Sequence, residues 1–180
     1  MTTEEHYEIF IDDCLNIFSD KLKDYGTSWR VLRSSSLTDQ LFTKIKRIRN
    51  LQINGYSKIE ETEIPEFIAI INYSIISMIQ IENGFTDKPD KTNEEATDLY
   101  NHFFKESLEL MKNKNHDYGE AWRDMRIESI TDLIFQKIIR IKQIEDNKGE
   151  TIASEGIKSN LQDILNYSMF CLILSNNNNN

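Results

Sequence analysis

The sequence is poor in proline, glycine and cysteine, and it carries no excess of positive charge. Its 180 residues include two prolines and six glycines, which favours long helices over many short strands joined by tight turns. The formal net charge of −9 argues against non-specific binding to nucleic acid or to an anionic membrane, because both would repel the protein. A local basic pocket for a small phosphorylated molecule is still compatible with this charge.

The sequence also lacks the signs of secretion and of membrane insertion. Its two cysteines, Cys14 and Cys171, lie in apolar helical stretches, so we expect reduced core residues and no disulfide framework. The N-terminal residues are acidic and contain no apolar run, so no secretory signal is expected and a cytoplasmic location follows. The stretch 64–81 is apolar, but polar side chains interrupt it and no basic flank follows, which favours a buried helix.

Nucleophilic catalysis has no support in the residue pattern. The three histidines, His6, His102 and His116, show no metal-ligand spacing. No serine or cysteine has an evident base partner in the sequence. The carboxylates and the basic side chains are therefore the candidate functional residues.

A gapless internal repeat organises the sequence. Residues 24–47 and 117–140 share Asp, Tyr, Gly, Trp and Arg at their start, and Lys, Ile and Arg further on, at a fixed offset. Such identity over a whole span indicates a tandem duplication. The two repeats are expected over residues 1–83 and 94–175, with a linker over residues 84–93.

Apolar residues recur at helical spacing three times in each repeat. We predict helices over about residues 3–23, 36–54, 64–82, 94–115, 129–146 and 154–175. Capping boxes are expected at residues 36–39 and 129–132, and the asparagine tract 176–180 is expected to be disordered. One nearly all-apolar helix cannot be covered by its own repeat, so we predict an all-α, six-helix bundle. Its repeats would pack about a pseudo-twofold axis as one compact domain.

The last helix of each repeat carries one acid before a shared Asn-Tyr-Ser motif. Aligned on that motif, the first repeat has Glu66 where the second has Asn160, and the second has Asp163 where the first has Ala69. The combined pattern places carboxylates three residues apart on one helix face, as a hard-cation site requires.

Two further acids, Glu106 and Glu109, lie three residues apart on the first helix of the second repeat. With Asp163 they would form a divalent-cation site, whereas such a pair alone is usually a solvated helix face. For Asp163 the alternative is a buried salt bridge to Lys137 or Arg140. Both interpretations stay open from the residues.

Basic side chains recur at matching positions in the two repeats. Lys44 and Arg47 lie three apart on one helix face, and Lys137 and Arg140 are their counterparts. Paired lysine and arginine heads can hold phosphate oxygens, and Lys114 of the preceding helix would add a third charge. The alternative is ion pairing with nearby aspartates, and we favour phosphate binding.

The Asp-Tyr-Gly turn brings two aromatic side chains in each repeat, Tyr25 with Trp29 and Tyr118 with Trp122. The glycine fits a left-handed helix end, and the aromatic rings fit anchors in the core. Stacking of a ring on a nucleotide base is the alternative.

The run Lys-x-x-Asp-Tyr-Gly-x-x-Trp, then Lys-x-x-Arg-Ile and a helix with Asp-Ile-Leu-Asn-Tyr, resembles the nucleotide modification associated domain family of the first type. The resemblance covers nearly the whole chain, once per repeat. More distantly, the pattern is similar to the MazG-type all-α nucleoside triphosphate pyrophosphatases, which bind Mg²⁺ through Glu-x-x-Glu and Glu-x-x-Asp helices. Glu106 and Glu109 match the first of these pairs, and the second pair is split between Glu66 and Asp163.

The residues thus predict binding of a phosphorylated molecule, and the resemblance implies a nucleotide-binding protein and extends this to a Mg²⁺-dependent pyrophosphohydrolase. Glu106, Glu109 and Asp163 would ligate the ion, and the basic residues would hold the phosphates. The alternative is a non-catalytic nucleotide sensor or a helical interaction scaffold. The expected partner is a small nucleotide, with no membrane, and a homodimer stays open.

Overall fold

The chain forms six α-helices in the computed structural model, which describes residues 1–55, 62–149 and 156–178, with side chains to Asn176. The helices are α1 (Thr3–Tyr25), α2 (Ser34–Asn54), α3 (Ile64–Asn83), α4 (Asn93–Tyr118), α5 (Ile127–Asp146) and α6 (Ile157–Asn178). Short 3₁₀ turns, Ser28–Val31 and Ala121–Asp124, follow α1 and α4. No strand occurs among the described residues, and the predicted all-α duplication is confirmed.

Capping boxes begin the first helix of each repeat. Thr2 and Glu5 exchange hydrogen bonds at the start of α1, and Thr92 and Glu95 do the same at α4. α1 ends at Gly26, whose φ of 60° is a left-handed value that favours glycine. The predicted glycine at this helix end is confirmed.

The capping boxes predicted at residues 36–39 and 129–132 are wrong. α2 begins earlier, at Ser34, and α5 begins at Ile127, each after an arginine whose side chain makes no capping bond. Thr38 makes no cap either: its hydroxyl lies 3.1 Å from the carbonyl oxygen of Ser34 inside the helix and 2.7 Å from Glu145 Oε1, the shorter of its two possible hydrogen bonds. The Ser-x-x-Asp pattern therefore lies within the helix and does not begin it.

α6 continues to Asn178, past its predicted end, so residues 176–178 are helical where we predicted disorder. Helical hydrogen bonds come from the main chain, so a helix can outlast the apolar pattern that positions it. The predicted start at residue 154 and the final residues 179–180 lie outside the described residues.

α3 and α6 form the centre of the bundle, where they pack against each other, and α2 packs on α5 beside them. Each of these pairs joins one repeat to the other, as a pseudo-twofold arrangement requires. α3 is long and apolar enough to span a membrane, with a mean hydropathy of 1.5, but 67% of that stretch is buried within the protein. Such burial is typical of the core helix of a soluble protein.

The asparagine of each Asn-Tyr-Ser motif ties the two repeats together. The Tyr100 hydroxyl donates to Asn72 Oδ1 at 2.7 Å, and the Tyr7 hydroxyl donates to Asn166 Oδ1 at 3.3 Å. Each asparagine side chain also donates to a main-chain carbonyl oxygen of the first helix of its own repeat. Burial raises the pKa of Tyr7 and of Tyr100 well above the ordinary value, so both tyrosines remain donors.

Arg30 fixes the linker between the repeats. It is 1% exposed, and its guanidinium donates to Asp90 at 2.8 Å, to the Gly84 carbonyl oxygen at 2.6 Å and to the Gln80 side chain. Its counterpart Arg123 is partly exposed, pairs with Glu120 just before its own 3₁₀ turn and donates to Thr3 Oγ1 of α1 at 2.7 Å. The duplication therefore keeps this arginine but uses it differently in each repeat.

Candidate anion-binding cavities

Two cavities lie at equivalent positions in the two repeats. The first cavity, of about 1730 Å³, is open to solvent and lies between α4, α5 and α6, and its lining includes Lys114, Tyr118, Trp122, Lys137, Arg140 and Asp163. The second cavity, of about 660 Å³, is also open and lies between α1, α2 and α3, and its lining includes Lys21, Tyr25, Trp29, Lys44, Arg47 and Glu66. Except for the acid, each of these residues has its counterpart in the other cavity. All five predicted phosphate-binding residues line one of the two cavities.

Asp163 is the anchor of the first cavity. Its side chain is 7% exposed, and its two oxygens accept hydrogen bonds from Lys114 at 2.6 Å and from Lys137 at 2.8 Å. The carboxylate of α6 thereby joins α4 to α5. Of the two interpretations of Asp163, the structure shows the buried salt bridge to Lys137, with Lys114 as the second partner.

Glu66 anchors the second cavity, one helical turn earlier along the corresponding helix. Its side chain is 5% exposed, and Oε1 accepts a hydrogen bond from Arg47 at 2.8 Å. Lys44 lies 3.3 Å from Oε2, close enough for an ion pair but without hydrogen-bond geometry. Both partners of Glu66 belong to α2, whereas Asp163 joins two different helices.

This one-turn shift of the carboxylate changes which cation lacks an ionic partner. In the first cavity Arg140 makes no ion pair within the described part of the chain, although its counterpart Arg47 is paired. In the second cavity Lys21 makes none with any described residue, although its counterpart Lys114 is paired. Each cavity therefore offers one cation to a ligand, and the two cations approach from different helices.

The lining of both cavities is positively charged overall. The described lining of the first cavity contains Lys114, Lys137, Arg140 and Lys148 against two carboxylates, Asp146 and Asp163. The second cavity places three cations around one carboxylate. In a chain with a formal net charge of −9, these two concave basic surfaces favour small anions.

The structure does not form the predicted cluster of Glu106, Glu109 and Asp163. Glu106 pairs with Lys158 at 2.8 Å, and Glu109 pairs with Lys112 at 3.0 Å; neither acid is among the residues that line the two cavities. At about 100° per residue, Glu109 is turned by roughly 140° from the face of α4 that carries Lys114.

No group of three metal-binding side chains occurs within residues 1–55, 62–149 and 156–178. The fourth predicted ligand, Glu66, lines the second cavity, and Asp163 lines the first. The two acids that the alignment combined into one motif therefore belong to different sites. The donor set does not fit a shared magnesium centre of the predicted composition.

The aromatic residues of the Asp-Tyr-Gly turns divide into core and surface. Trp122 is 6% exposed and stacks on Phe170, with ring centroids 4.2 Å apart, while the Arg123 guanidinium also lies over its ring. Trp122 is therefore a core anchor with little ring surface left for a base. Tyr118 and Tyr25 are 75% and 69% exposed and remain available for stacking.

Tyr167 was missed by the sequence analysis, although it belongs to the Asn-Tyr-Ser motif. It lines the first cavity beside Asp163. Burial and the nearby Asp163 carboxylate raise its pKa, while Lys114 and Arg140 oppose that shift. Tyr167 therefore offers a protonated phenol to the same space as the lysines and Arg140. The signal that identifies it is the motif that aligned the two acids.

Comparison with known proteins agrees with the repeat. The family model described as nucleotide modification associated domain 1 matches the chain twice, over residues 21–81 and 114–174. The two matches contain the paired cations and acids of both cavities, whereas Glu106 and Glu109 precede the second match. No curated protein and no solved structure gives a significant match.

Proposed function

We propose that this chain, which belongs to the nucleotide modification associated domain 1 family, binds a nucleotide in the first cavity. The observation that carries the proposal is Arg140, an exposed guanidinium beside the Lys114–Asp163–Lys137 bridge and without an ion pair among the described residues. An arginine can bind two phosphate oxygens at once, and the adjacent lysines add charge.

The size and lining of the first cavity support a nucleotide over a bare anion. About 1730 Å³ leaves room for a base and sugar beside the phosphates. Tyr118, 75% exposed at this cavity, supplies a ring on which a base can stack. The Tyr167 phenol adds a hydrogen-bond donor next to Arg140.

Asp163 acts in this proposal by positioning the lysines. Its bonds to α4 and α5 hold two ammonium groups at fixed places, so little side-chain entropy is lost when a phosphate arrives. We assign binding and no hydrolytic step, because Glu106 and Glu109 are paired on another part of α4. The protein would then act as a nucleotide sensor or carrier.

The proposal places the protein in the cytoplasm, where nucleotides are abundant. Its two cysteines, Cys14 and Cys171, are buried and unpaired, as suits a reducing compartment.

Isothermal titration with dATP, dGTP, dCTP and dTTP, with and without Mg²⁺, tests the proposal. Arg140→Ala should weaken binding about 10- to 100-fold, the usual effect of losing a hydrogen-bonded charge. Arg126→Ala changes an exposed arginine at the N-terminal end of α5 that lines neither cavity, so it is the control and should leave binding unchanged.

Absence of binding to all four nucleotides in both conditions would refute the proposed function. Release of pyrophosphate in the presence of Mg²⁺ would instead restore the hydrolase and contradict the assignment of binding alone. An equal affinity of Arg140→Ala and the parent chain would move the site away from the first cavity.

A further inference from the structure

The second cavity has diverged from the first in polarity as well as in volume. Where the first cavity has Asn115 and Asp163, the second has Leu22 and Ala69 at the aligned positions. Its floor also contains Ile17, Leu32, Ile68 and Ile76. A volume of about 660 Å³ lies in the range of ordinary small-molecule sites. This lining suits a ligand with one flat apolar part and one anionic group.

Two buried polar atoms of residues that line the second cavity have no hydrogen-bond partner among the described residues. One is the acceptor Glu66 Oε2, whose Lys44 neighbour at 3.3 Å lacks hydrogen-bond geometry. The other is the donor Trp29 Nε1, whose counterpart Trp122 Nε1 at the first cavity also has no partner within the described part of the chain. Buried polar groups in folded proteins are nearly always hydrogen-bonded, so a donor and an acceptor without hydrogen bonds at one cavity point to a ligand that supplies both.

Lys21 supplies the charge for the anionic group. It lines the cavity from α1 and makes no ion pair with any described residue, because the carboxylate of this repeat lies at Glu66 and not at position 69. Lys44 and Arg47 stand across the cavity on α2 and share that single carboxylate. One phosphate group bound at α1 would neutralise the charge of Lys21.

We propose that the second cavity is a separate site for a nucleoside monophosphate. Its phosphate would lie against Lys21, its base would lie on the apolar floor, and an amino or hydroxyl hydrogen of the ligand would bond to Glu66 Oε2. An oxygen or ring nitrogen of the ligand would accept from Trp29 Nε1. The inference goes beyond the proposed function and does not depend on it, because the two cavities share no lining residue.

The position of the acid decides the specificity of each cavity. In the double variant Glu66→Asn with Ala69→Asp, the new carboxylate is expected to join Lys21 to Lys44, as Asp163 joins Lys114 to Lys137. This exchange engages Lys21 and removes the carboxylate at position 66 together with its hydrogen bond from Arg47. Because Lys21 is then engaged by the new carboxylate, the second cavity should bind monophosphates more weakly than in the parent chain.

Native mass spectrometry counts the bound molecules, and isothermal titration gives their affinities, with dAMP, dGMP, dCMP and dTMP as probes. We expect one molecule bound in the second cavity for at least one probe, counted beside any molecule in the first cavity. Lys21→Ala should remove this molecule or weaken its binding at least about 10-fold. Lys23→Ala is the matched control, an exposed lysine of α1 that pairs with Asp20 outside both cavities, and should change nothing.

The outcomes separate this inference from the proposed function. One bound molecule that Arg140→Ala removes and Lys21→Ala leaves intact would overturn the second site and keep the first. One molecule lost in Lys21→Ala alone would support the second site, and the triphosphate titration would decide on the first. No bound molecule with any monophosphate would overturn the second site, and ribose 5-phosphate binding as tightly as the nucleotides would overturn the role given to the base.

Discussion

Asp163→Asn removes the negative charge that joins α4, α5 and α6 while keeping the size of the side chain. In the folded protein the asparagine oxygen can accept from only one of the two lysines. Lys137, with a side chain 15% exposed, is then left without an anion, whereas Lys114, 44% exposed, can turn towards water. The variant therefore isolates the cost of one poorly hydrated ammonium group.

The expected cost follows from the burial of the three groups. Breaking a buried ion pair by removing one partner costs about 3–5 kcal/mol, and the exposure of Lys114 reduces this, so we expect about 2–3 kcal/mol. For a chain of this size each kcal/mol lowers Tm by about 2–4 °C, so the melting temperature should fall by about 4–12 °C. Thermal melts and urea titrations measure both quantities.

Glu109→Gln is the matched control, because it removes a carboxylate whose side chain is 67% exposed and paired only at the surface. Its expected cost is below about 0.5 kcal/mol. Added inorganic phosphate should stabilise Asp163→Asn more than the parent chain, since phosphate can take the place of the lost carboxylate between the lysines. Equal melting temperatures for the parent chain and Asp163→Asn would refute the bridging role.

Three further substitutions test contacts outside the cavities. Tyr100→Phe leaves the oxygen of Asn72, a residue 8% exposed, without its donor and should cost about 1–3 kcal/mol in a urea titration. Arg30→Lys keeps the charge but loses the forked contact with Asp90, and about 2–3 kcal/mol should be lost in the same assay. Burial raises the pKa of Glu145 above its ordinary 4.5, so the ionised side chain destabilises the folded state. Glu145→Gln should therefore be more stable at neutral pH, and in thermal melts that advantage should vanish as the pH falls through the raised pKa.

The other repeat provides matched controls for the first two substitutions. Tyr7→Phe removes a longer hydrogen bond, of 3.3 Å, and should cost less than its counterpart. Arg123→Lys changes an arginine whose side chain is 31% exposed and should cost under about 1 kcal/mol. For the pH series, Asp146→Asn changes an exposed neighbour and should not reproduce the profile. Equal costs within either pair of counterparts would contradict the reasoning from burial.

The fold was predictable because the duplication and the helical periodicity both indicate an all-α bundle of two packed repeats. The gapless match between the repeats implied two copies of one unit, and an apolar third helix in each copy implied that the copies cover each other. Helix starts were less predictable. Thr2 and Thr92 begin Thr-x-x-Glu patterns that form capping boxes, while Ser36 opens a similar pattern inside α2. The local pattern alone cannot tell these cases apart, because packing decides where the helix begins.

The cations of the candidate sites were predictable and the metal cluster was not. Repetition of the lysines and arginines at one offset identified residues that the folded chain does bring to cavities. Superposing the two repeats combined Glu66 with Asp163, although a twofold arrangement places them in separate cavities. Spacing within α4 likewise placed Glu106 and Glu109 on one helix face. It did not show that these carboxylates form ion pairs with Lys158 and Lys112.

Neither repeat should fold alone, because its central helix depends on the other repeat for a large part of its cover. α3 packs more extensively against α6 than against any other helix, and α2 packs on α5. Three isoleucines of α3, Ile70, Ile71 and Ile75, are 0% exposed. Exposing them would cost about 5–9 kcal/mol, which is comparable with the whole stability of a typical domain.

Separate expression of residues 1–83 and 94–175 tests whether the two repeats are one folding unit. Each fragment alone should give a non-cooperative melt by circular dichroism, or should self-associate so that a second copy covers its central helix. Mixing the fragments should restore a cooperative transition, because the Tyr100–Asn72 and Tyr7–Asn166 bonds and the α3–α6 contact all cross between the repeats. A monomeric fragment 1–83 that melts cooperatively would contradict this argument, since its α3 would then be stable without α6.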